Sequence, residues 1–172
     1  ARNEGIRDFG ACMAPMTAFQ ILQGLETLPL RMARHVSNAE TIVSFLSEHS
    51  MVESINYPGL ESHPDHDLAR SILSKGVGAV FSFELQGGRE AGIAFIEKLE
   101  LFSHLANVGD AKSLVIHPAS TTHHRMDESS LIAAGIGAGL VRLSVGLEDV
   151  NDLIDDLKVG LRAVEKIVGA KS

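Results

Sequence analysis

Residues 139–149 read Gly-Leu-Val-Arg-Leu-Ser-Val-Gly-Leu-Glu-Asp, an apolar stretch with a single arginine, Arg142, in its middle. Its branched and apolar residues favour a β-strand, and the side chains of a strand alternate between its two faces. One face therefore carries Val141, Leu143 and Val145. Arg142 points to the opposite face, away from the predicted core. The stretch thus predicts a strand that presents a guanidinium group on the far side of its sheet.

A guanidinium group in an apolar strand needs an anionic partner, because its removal from water without one is costly. The planar group holds a carboxylate or a phosphate through two parallel hydrogen bonds, which indicates a small anionic ligand. The alternative is an internal salt bridge, and from the strand alone this alternative is favoured. The identity of the anionic partner of Arg142 therefore decides between a ligand-binding role and a structural role.

The rest of the chain predicts a mixed α/β fold. Apolar residues at spacings of three and four indicate helices over residues 15–24, 29–46, 65–74, 89–99, 126–134 and 150–169. Alternating or short apolar runs indicate strands over residues 52–57, 78–86 and 113–116, besides the arginine strand. We therefore expect an α+β sandwich in which a small, mainly antiparallel sheet carries helices on one side. A long N-terminal helical arm precedes it, and its first helix is apolar enough to be buried.

Composition limits the class of protein. With 172 residues, of which 45% are hydrophobic and 22% charged, the chain forms one compact core. The formal net charge of −7 argues against non-specific nucleic-acid binding, which depends on a basic face. No apolar run reaches the roughly 20 residues that cross a bilayer, and no secretion signal is recognisable, so the pattern predicts a cytoplasmic protein without a membrane partner. The single cysteine, Cys12, cannot form an internal disulfide.

The loop over residues 106–124 concentrates polar groups and predicts the functional site. It contains three histidines, His117, His123 and His124, but neither a cysteine nor a His-Glu-x-x-His arrangement accompanies them, so we expect no metal centre. Lys112 is a possible Schiff-base lysine by residue type alone. The sequence around Lys112 gives this interpretation little support.

Six segments of the chain resemble, in order, the C-terminal part of the Cys/Met-metabolism family of pyridoxal-phosphate enzymes. They are FGACMAP (9–15), LQGLETLPLRM (22–32), NYPGL (56–60), NVGDAKSL (107–114), IHPASTTH (116–123) and LVRLSVGLED (140–149). Within the family, the Asn-Val-Gly-Asp-Ala-Lys-Ser form at 107–113 is most similar to that of O-acetylhomoserine sulfhydrylases. Cystathionine synthases and lyases tend to carry a Ser-Leu-Gly-Gly form there.

The resemblance implies the C-terminal domain of an aminotransferase-like, fold type I enzyme. Residues 1–12 would be the connector from a missing N-terminal domain, and residues 13–172 the C-terminal substrate-binding domain. That missing domain would hold the pyridoxal phosphate on a lysine upstream of this chain, which leaves no catalytic, cofactor-binding or metal-binding residue here. By the same matching, Arg142 would hold the substrate α-carboxylate and Asn107 would contribute from the loop. Lys112 falls where relatives often carry Glu, so it would not form the Schiff base.

The resemblance also implies a reaction and partners. The reaction is γ-replacement, in which sulfide replaces the acetate of O-acetylhomoserine to give homocysteine. The partners are a small amino-acid substrate, the N-terminal domain of the same protein, and further copies in a homo-oligomer, a homotetramer in the family pattern. Two alternatives stay open: a cystathionine γ-synthase or methionine γ-lyase of the same family, and a non-catalytic module that binds a small carboxylate or mediates assembly.

We expect that these 172 residues alone form no stoichiometric Schiff base with pyridoxal phosphate, because the resemblance places the required lysine upstream. The measurement is borohydride reduction of the purified chain mixed with the cofactor, followed by mapping of the adduct. Stoichiometric labelling of one lysine, above all Lys112, would contradict the expectation.

Overall fold

The computed structural model describes residues 4–5, 8–10 and 12–170. Half of the predicted connector over residues 1–12 therefore lies outside the described part. The chain divides into two compact units, of which the second begins at Arg34. Within the described residues, no helix has both the length and the apolar character that crossing a membrane requires.

The first unit contains the predicted helical arm. Helix α1 covers Pro15–Glu26, and helix α2 starts two residues later and covers Leu28–Ser47, so that it continues into the second unit. Pro15 suits the first helical turn, where its missing N–H has no partner in any case. The guanidinium of Arg31 donates to the carbonyl of Gly24 at 2.6 Å. The expectation that α1 is buried is wrong for this chain, since none of its residues is buried. An apolar sequence pattern does not show which other segment, if any, packs against a helix.

Five strands form one sheet in the second unit, in the order β1-β2-β5-β4-β3. They are β1, Val52–Asn56; β2, Val80–Leu85; β3, Ser103–His104; β4, Leu114–Ile116; and β5, Leu140–Ser144. All neighbouring pairs are antiparallel except β3 with β4. The mainly antiparallel sheet is therefore confirmed, and the arginine strand β5 is its central strand. Strand β3 has no counterpart in the sequence prediction, because two residues are too few to show alternation.

One face of the sheet packs against three helices. They are α2, α4 (Gly88–Ile96) and α6 (Val150–Gly169). The core between the layers joins sheet residues Phe81, Phe83, Leu85, Val115, Val141, Leu143 and Val145 to helix residues that include Ile42, Leu46, Phe95, Leu153, Leu157 and Leu161. Alternation along β5 thus predicts its buried side correctly. Helix α6 begins where expected, because the carboxylate of Asp149 accepts the N–H of Asn151 and caps its first turn.

Helices α3 and α5 are shorter than the sequence pattern indicates. They cover His66–Ile72 and Glu128–Ala133, and a 3₁₀ turn covers Pro118–Ser120 within the predicted loop. The start of α5 is set by Asp127, whose carboxylate accepts the N–H of Ser130 at 2.7 Å. That bond makes Asp127 the cap. The predicted start at Met126 was therefore too early.

Helices α4 and α6 approach closely at Gly160. A Cβ atom at this position would lie 2.7 Å from a ring carbon of Phe95, a side chain with no exposed surface. Gly160→Ala should lower the free energy of unfolding by about 1 kcal/mol, because overpacking of about 1–3 kcal/mol exceeds the gain of up to about 1 kcal/mol in helix propensity. The control is Gly169→Ala in the same helix, where an added Cβ atom would meet no other part of the fold within 4 Å. Chemical denaturation of both variants measures the difference, and equal stabilities would contradict the close approach.

Candidate functional site

Arg142 lies at the centre of the sheet on the face opposite the helical core. Its backbone is paired with Ser82 of β2 on one side and with Ile116 of β4 on the other. Its side chain is half-buried, whereas its neighbours Val141 and Leu143 are fully buried on the other face. The predicted orientation of the guanidinium group away from the core is therefore the observed one.

No carboxylate neutralises Arg142 within the part of the chain that the structure describes. Its Nη2 atom donates to the main-chain carbonyl of Asn107 at 3.3 Å. Glu84 lies on the same face of the neighbouring strand β2, but its carboxylate instead accepts the N–H of Gly139 at 2.7 Å. The internal salt bridge that the strand alone favoured is thus not formed among these residues.

The environment of Glu84 explains how a carboxylate can lie near Arg142 without pairing with it. Burial raises the pKa of Glu84, and the negative charge of Glu53 acts in the same direction, while the N–H of Gly139 opposes them. The carboxylate is also enclosed by the chain before β5, because a Cβ atom at Gly137 would collide with it. Glu84 therefore serves to anchor the start of β5.

Asn107 contacts Arg142 through its main chain. Its side-chain Oδ1 accepts the N–H of Val108 at 2.9 Å, which turns the amide back onto the loop. Asn107 and Val108 are both exposed. The structure therefore brings Asn107 and Arg142 together, as the resemblance implies, with the carbonyl rather than the side chain as the observed point of contact.

Hydrogen bonds fasten the loop that carries Asn107 to the end of β5. The N–H of Gly109 donates to the hydroxyl of Ser144 at 3.3 Å, and the N–H of Leu147 donates to the carbonyl of Ala111 at 2.9 Å. Gly109 has a φ of 75°, a conformation that glycine adopts readily. The loop thus runs along the carboxyl end of the arginine strand.

A second set of bonds joins the start of β4 to the segment after β5. The carboxylate of Glu148 accepts the N–H of Ser113 at 2.7 Å and its hydroxyl at 2.8 Å. The hydroxyl oxygen of Ser113 in turn accepts the N–H of Gly146 at 2.8 Å. We call this arrangement of Ser113, Gly146 and Glu148 the carboxylate clamp. Sequence reasoning did not find it, although a serine at the start of an apolar strand is a signal that could have been followed.

Helix α2 holds the same segment from the other side. His35 donates from Nδ1 to the carbonyl of Val145 at 2.6 Å, and the amide of Asn38 donates to the carbonyls of Gly146 and Glu148, both at 3.0 Å. Both side chains are buried. These donors satisfy the carbonyls that β5 leaves unpaired as it ends. They too were missed from the sequence, because only the fold brings α2 beside β5.

The second half of the predicted loop has a structural role. The His117 imidazole is fully buried, accepts a hydrogen bond from the Ser120 hydroxyl at 2.8 Å, and donates from Nε2 to the carbonyl of Ala138 at 2.8 Å. Gly92 of α4 makes room for the ring, since a Cβ atom there would collide with it. Among the residues that the structure describes, His123 and His124 do not join it in a metal-ligating group. The loop therefore divides into a part beside Arg142 and a part that supports β5.

None of the lysines that the structure describes is enclosed as a cofactor-binding lysine would be. Lys75, Lys98, Lys112, Lys158 and Lys166 are all exposed. A lysine that forms a Schiff base is normally activated by desolvation or by a neighbouring cation. Lys112 shows no such enclosure, and its main-chain N–H bonds to the carboxylate of Asp110. The described residues thus do not provide the lysine of a pyridoxal-phosphate site. A half-buried cation that they provide is Arg142.

The sequence profile of the family described as Cys/Met metabolism PLP-dependent enzymes matches residues 2–162. An O-acetyl-L-homoserine sulfhydrylase from Leptospira meyeri is 50% identical over 165 residues, which cover 95% of this chain and 37% of that protein. O-acetyl-L-homoserine sulfhydrylase 1 from Thermus thermophilus is 48% identical, with 94% and 38% covered. An L-methionine gamma-lyase from Fusobacterium nucleatum is 46% identical, with 93% and 40% covered. The chain thus spans about two fifths of the length of these relatives.

Solved structures show the same relationship. An O-acetylhomoserine (thiol)-lyase from Campylobacter jejuni, which contains N'-pyridoxyl-lysine-5'-monophosphate, matches with a TM-score of 0.81 and 43% identity over 93% of this chain and 37% of that chain. A cystathionine gamma synthase from Xanthomonas oryzae, in complex with aminoacrylate and cysteine, matches with a TM-score of 0.82 and 42% identity, covering 93% and 41%.

The buried His117 predicts a pH dependence of stability. Burial lowers the pKa of His117, and the charges of Arg89 and His104 lower it further, against the opposing effect of the Ala138 carbonyl. The unfolded chain therefore binds a proton that the folded chain does not, so stability is lost as the pH falls below about 6.5, at up to about 1.4 kcal/mol per pH unit. His117→Gln should show a weaker loss of unfolding free energy from about pH 7.5 to about pH 5.5 in denaturant titrations.

The control for this experiment is His124→Gln, which removes an exposed imidazole from the same loop. It should keep the pH dependence of the original chain. Parallel stability profiles for the His117 variant and the original chain would show that His117 is not the group responsible.

Proposed function

Because the chain belongs to the Cys/Met metabolism family of pyridoxal-phosphate-dependent enzymes, we propose that it forms the substrate-carboxylate-binding part of an O-acetylhomoserine sulfhydrylase. The two sulfhydrylases at 48% and 50% identity support this activity. Since the chain spans 37% and 38% of their lengths, the proposal concerns a longer protein. In it, an N-terminal domain holds the cofactor on its lysine, residues 13–172 form the substrate-binding domain, and further copies complete a homo-oligomer.

The proposed reaction replaces the acetate of O-acetylhomoserine by sulfide and gives homocysteine. Bound pyridoxal phosphate withdraws electrons from the amino-acid substrate. The residues of this chain act on the substrate by binding and orientation. Arg142 binds the α-carboxylate through paired N–H donors, which limits rotation about the α-carbon and fixes which of its bonds is presented for reaction.

The observation that carries the proposal is the unneutralised guanidinium of Arg142. One N–H is engaged by the carbonyl of Asn107, a neutral acceptor that orients the group without cancelling its charge. Its remaining donors are open to a ligand, because no described carboxylate reaches them. A half-buried cation in this state is suited to an anion that arrives from outside the chain.

Two related activities are the second candidates, because a methionine gamma-lyase and a cystathionine gamma synthase match nearly as well as the sulfhydrylases. All three act on amino acids, so the carboxylate role of Arg142 is common to them. Product analysis of the complete protein separates them. O-acetylhomoserine with sulfide should give homocysteine, whereas methionine cleavage, or condensation with cysteine at a higher rate, would assign one of the alternatives. The non-catalytic module gains no support from the relatives, which carry the names of enzymes.

Substitution of Arg142 in the complete protein tests the proposal. Arg142→Lys keeps the charge but loses the fork that grips both carboxylate oxygens, so the KM for O-acetylhomoserine should rise. Arg142→Ala should lower kcat/KM by an amount equivalent to roughly 2–5 kcal/mol, or about 30-fold to several thousandfold. Steady-state kinetics, cofactor absorbance and thermal unfolding are measured on the same preparations. Folding and cofactor uptake should survive both changes.

The matched control is Arg162→Ala, which removes an exposed arginine from α6. It should leave the kinetic constants unchanged. An Arg142→Ala protein that unfolds more readily but retains full turnover would show that Arg142 has a structural role and would refute the carboxylate assignment.

A further inference from the structure

The carboxylate clamp holds the end of the loop whose Asn107 carbonyl accepts a hydrogen bond from Arg142. We propose that Glu148 and Ser113 are positioning residues for substrate binding, which fix the loop over residues 105–113 so that the Asn107 carbonyl holds the Arg142 guanidinium in its binding orientation. This inference rests on the proposed function, because it assumes that Arg142 binds the substrate carboxylate.

The clamp closes the loop at its carboxyl end. The loop begins where the N–H of Leu105 donates to Val115 at 3.2 Å and ends at Ser113, which is fully buried. Both oxygens of the Glu148 carboxylate are used there, one by the N–H of Ser113 and one by its hydroxyl. Because hydrogen bonds to an ionised carboxylate are stronger than those between neutral groups, this end is the firmer attachment.

The rest of the loop has little packing to hold it. Leu105 and Val108 are 50% and 55% exposed, and Asn107 is exposed as well. The loop therefore takes its shape from hydrogen bonds to β5 and to the segment after it, at Ser144, Leu147 and Glu148. Loss of the clamp would leave two of these attachments, at 3.3 Å and 2.9 Å.

The hydrogen bonds that Glu148 forms with the described residues do not include one to Arg142. Its two carboxylate oxygens are occupied by Ser113, and its main-chain carbonyl is held by Asn38. The clamp therefore acts on Arg142 only through the loop that it orders.

The test uses steady-state kinetics of the complete protein with O-acetyl-L-homoserine as the varied substrate and sulfide in excess. Glu148→Ala removes both acceptors, and it should raise the KM for O-acetyl-L-homoserine by about 10- to 100-fold while kcat changes by less than about threefold. Ser113→Ala keeps the main-chain bond to Glu148 and should give a smaller increase. The matched control is Asp149→Asn, which alters the adjacent exposed carboxylate and preserves a helix cap, so KM should stay unchanged.

A double-mutant cycle shows whether Glu148 acts through Arg142. In the Arg142→Lys background, Glu148→Ala should raise KM by less than about twofold, because the orientation that it protects is already lost. An equal factor in both backgrounds would overturn the positioning role. If Glu148→Ala does not fold, as judged by thermal unfolding and cofactor absorbance, the same cycle with Ser113→Ala decides the question by the same criterion.

The outcomes also separate this inference from the proposed function. If Arg142→Lys raises KM while neither clamp variant does, the positioning role fails and the carboxylate assignment stands. If Arg142→Lys leaves KM unchanged, the carboxylate assignment fails, and the positioning role fails with it.

Discussion

Arg142 places a cation at the centre of the sheet, and no carboxylate among the described residues neutralises it. Two acidic side chains that hold the segments around β5 are occupied by main-chain donors: Glu84 by Gly139, and Glu148 by Ser113. Each of these bonds fixes a segment next to β5. Burial of an unpaired ion is costly, and the half-buried position of Arg142, on the face opposite the helical core, keeps this cost moderate.

The scaffold around the arginine relies on side chains that donate to main-chain carbonyls. His35 and Asn38 bind three carbonyls after β5, and His117 binds the carbonyl of Ala138 before it. Burial lowers the pKa of His117, which favours the uncharged ring where it supports the strand. Both ends of β5 are thus held by hydrogen bonds from other parts of the fold.

Much of the fold follows from periodicity, and less of the site does. Alternation along β5 predicts which side is buried, and the long apolar stripe of α6 predicts the helix that covers it, because both patterns depend only on near neighbours in sequence. Strand β3 is too short to show a pattern, and α1 shows apolar character without revealing what packs on it. The loop over residues 106–124 was expected to act as one unit, yet His117 is a buried support while Asn107 faces the arginine. His35, Asn38 and Glu148 were missed because their partners are distant in sequence, and only the folded chain brings them together.

The charge balance of the chain indicates how a carboxylate would be selected. A net charge of −7 repels anions at long range, although salt screens this effect beyond about 8–10 Å under physiological conditions. An amino acid carries compensating charges, so the field of the whole chain gives it little guidance, and recognition of its carboxylate depends on contacts at short range. Such contacts favour a rigid fork over a mobile ammonium group. The fork is useful only when its plane is fixed, so under the proposed function the Asn107 carbonyl and the clamp behind it would bear directly on specificity. If Arg142 binds the substrate carboxylate as proposed, the geometry of one guanidinium, rather than the amount of positive charge, determines what can bind.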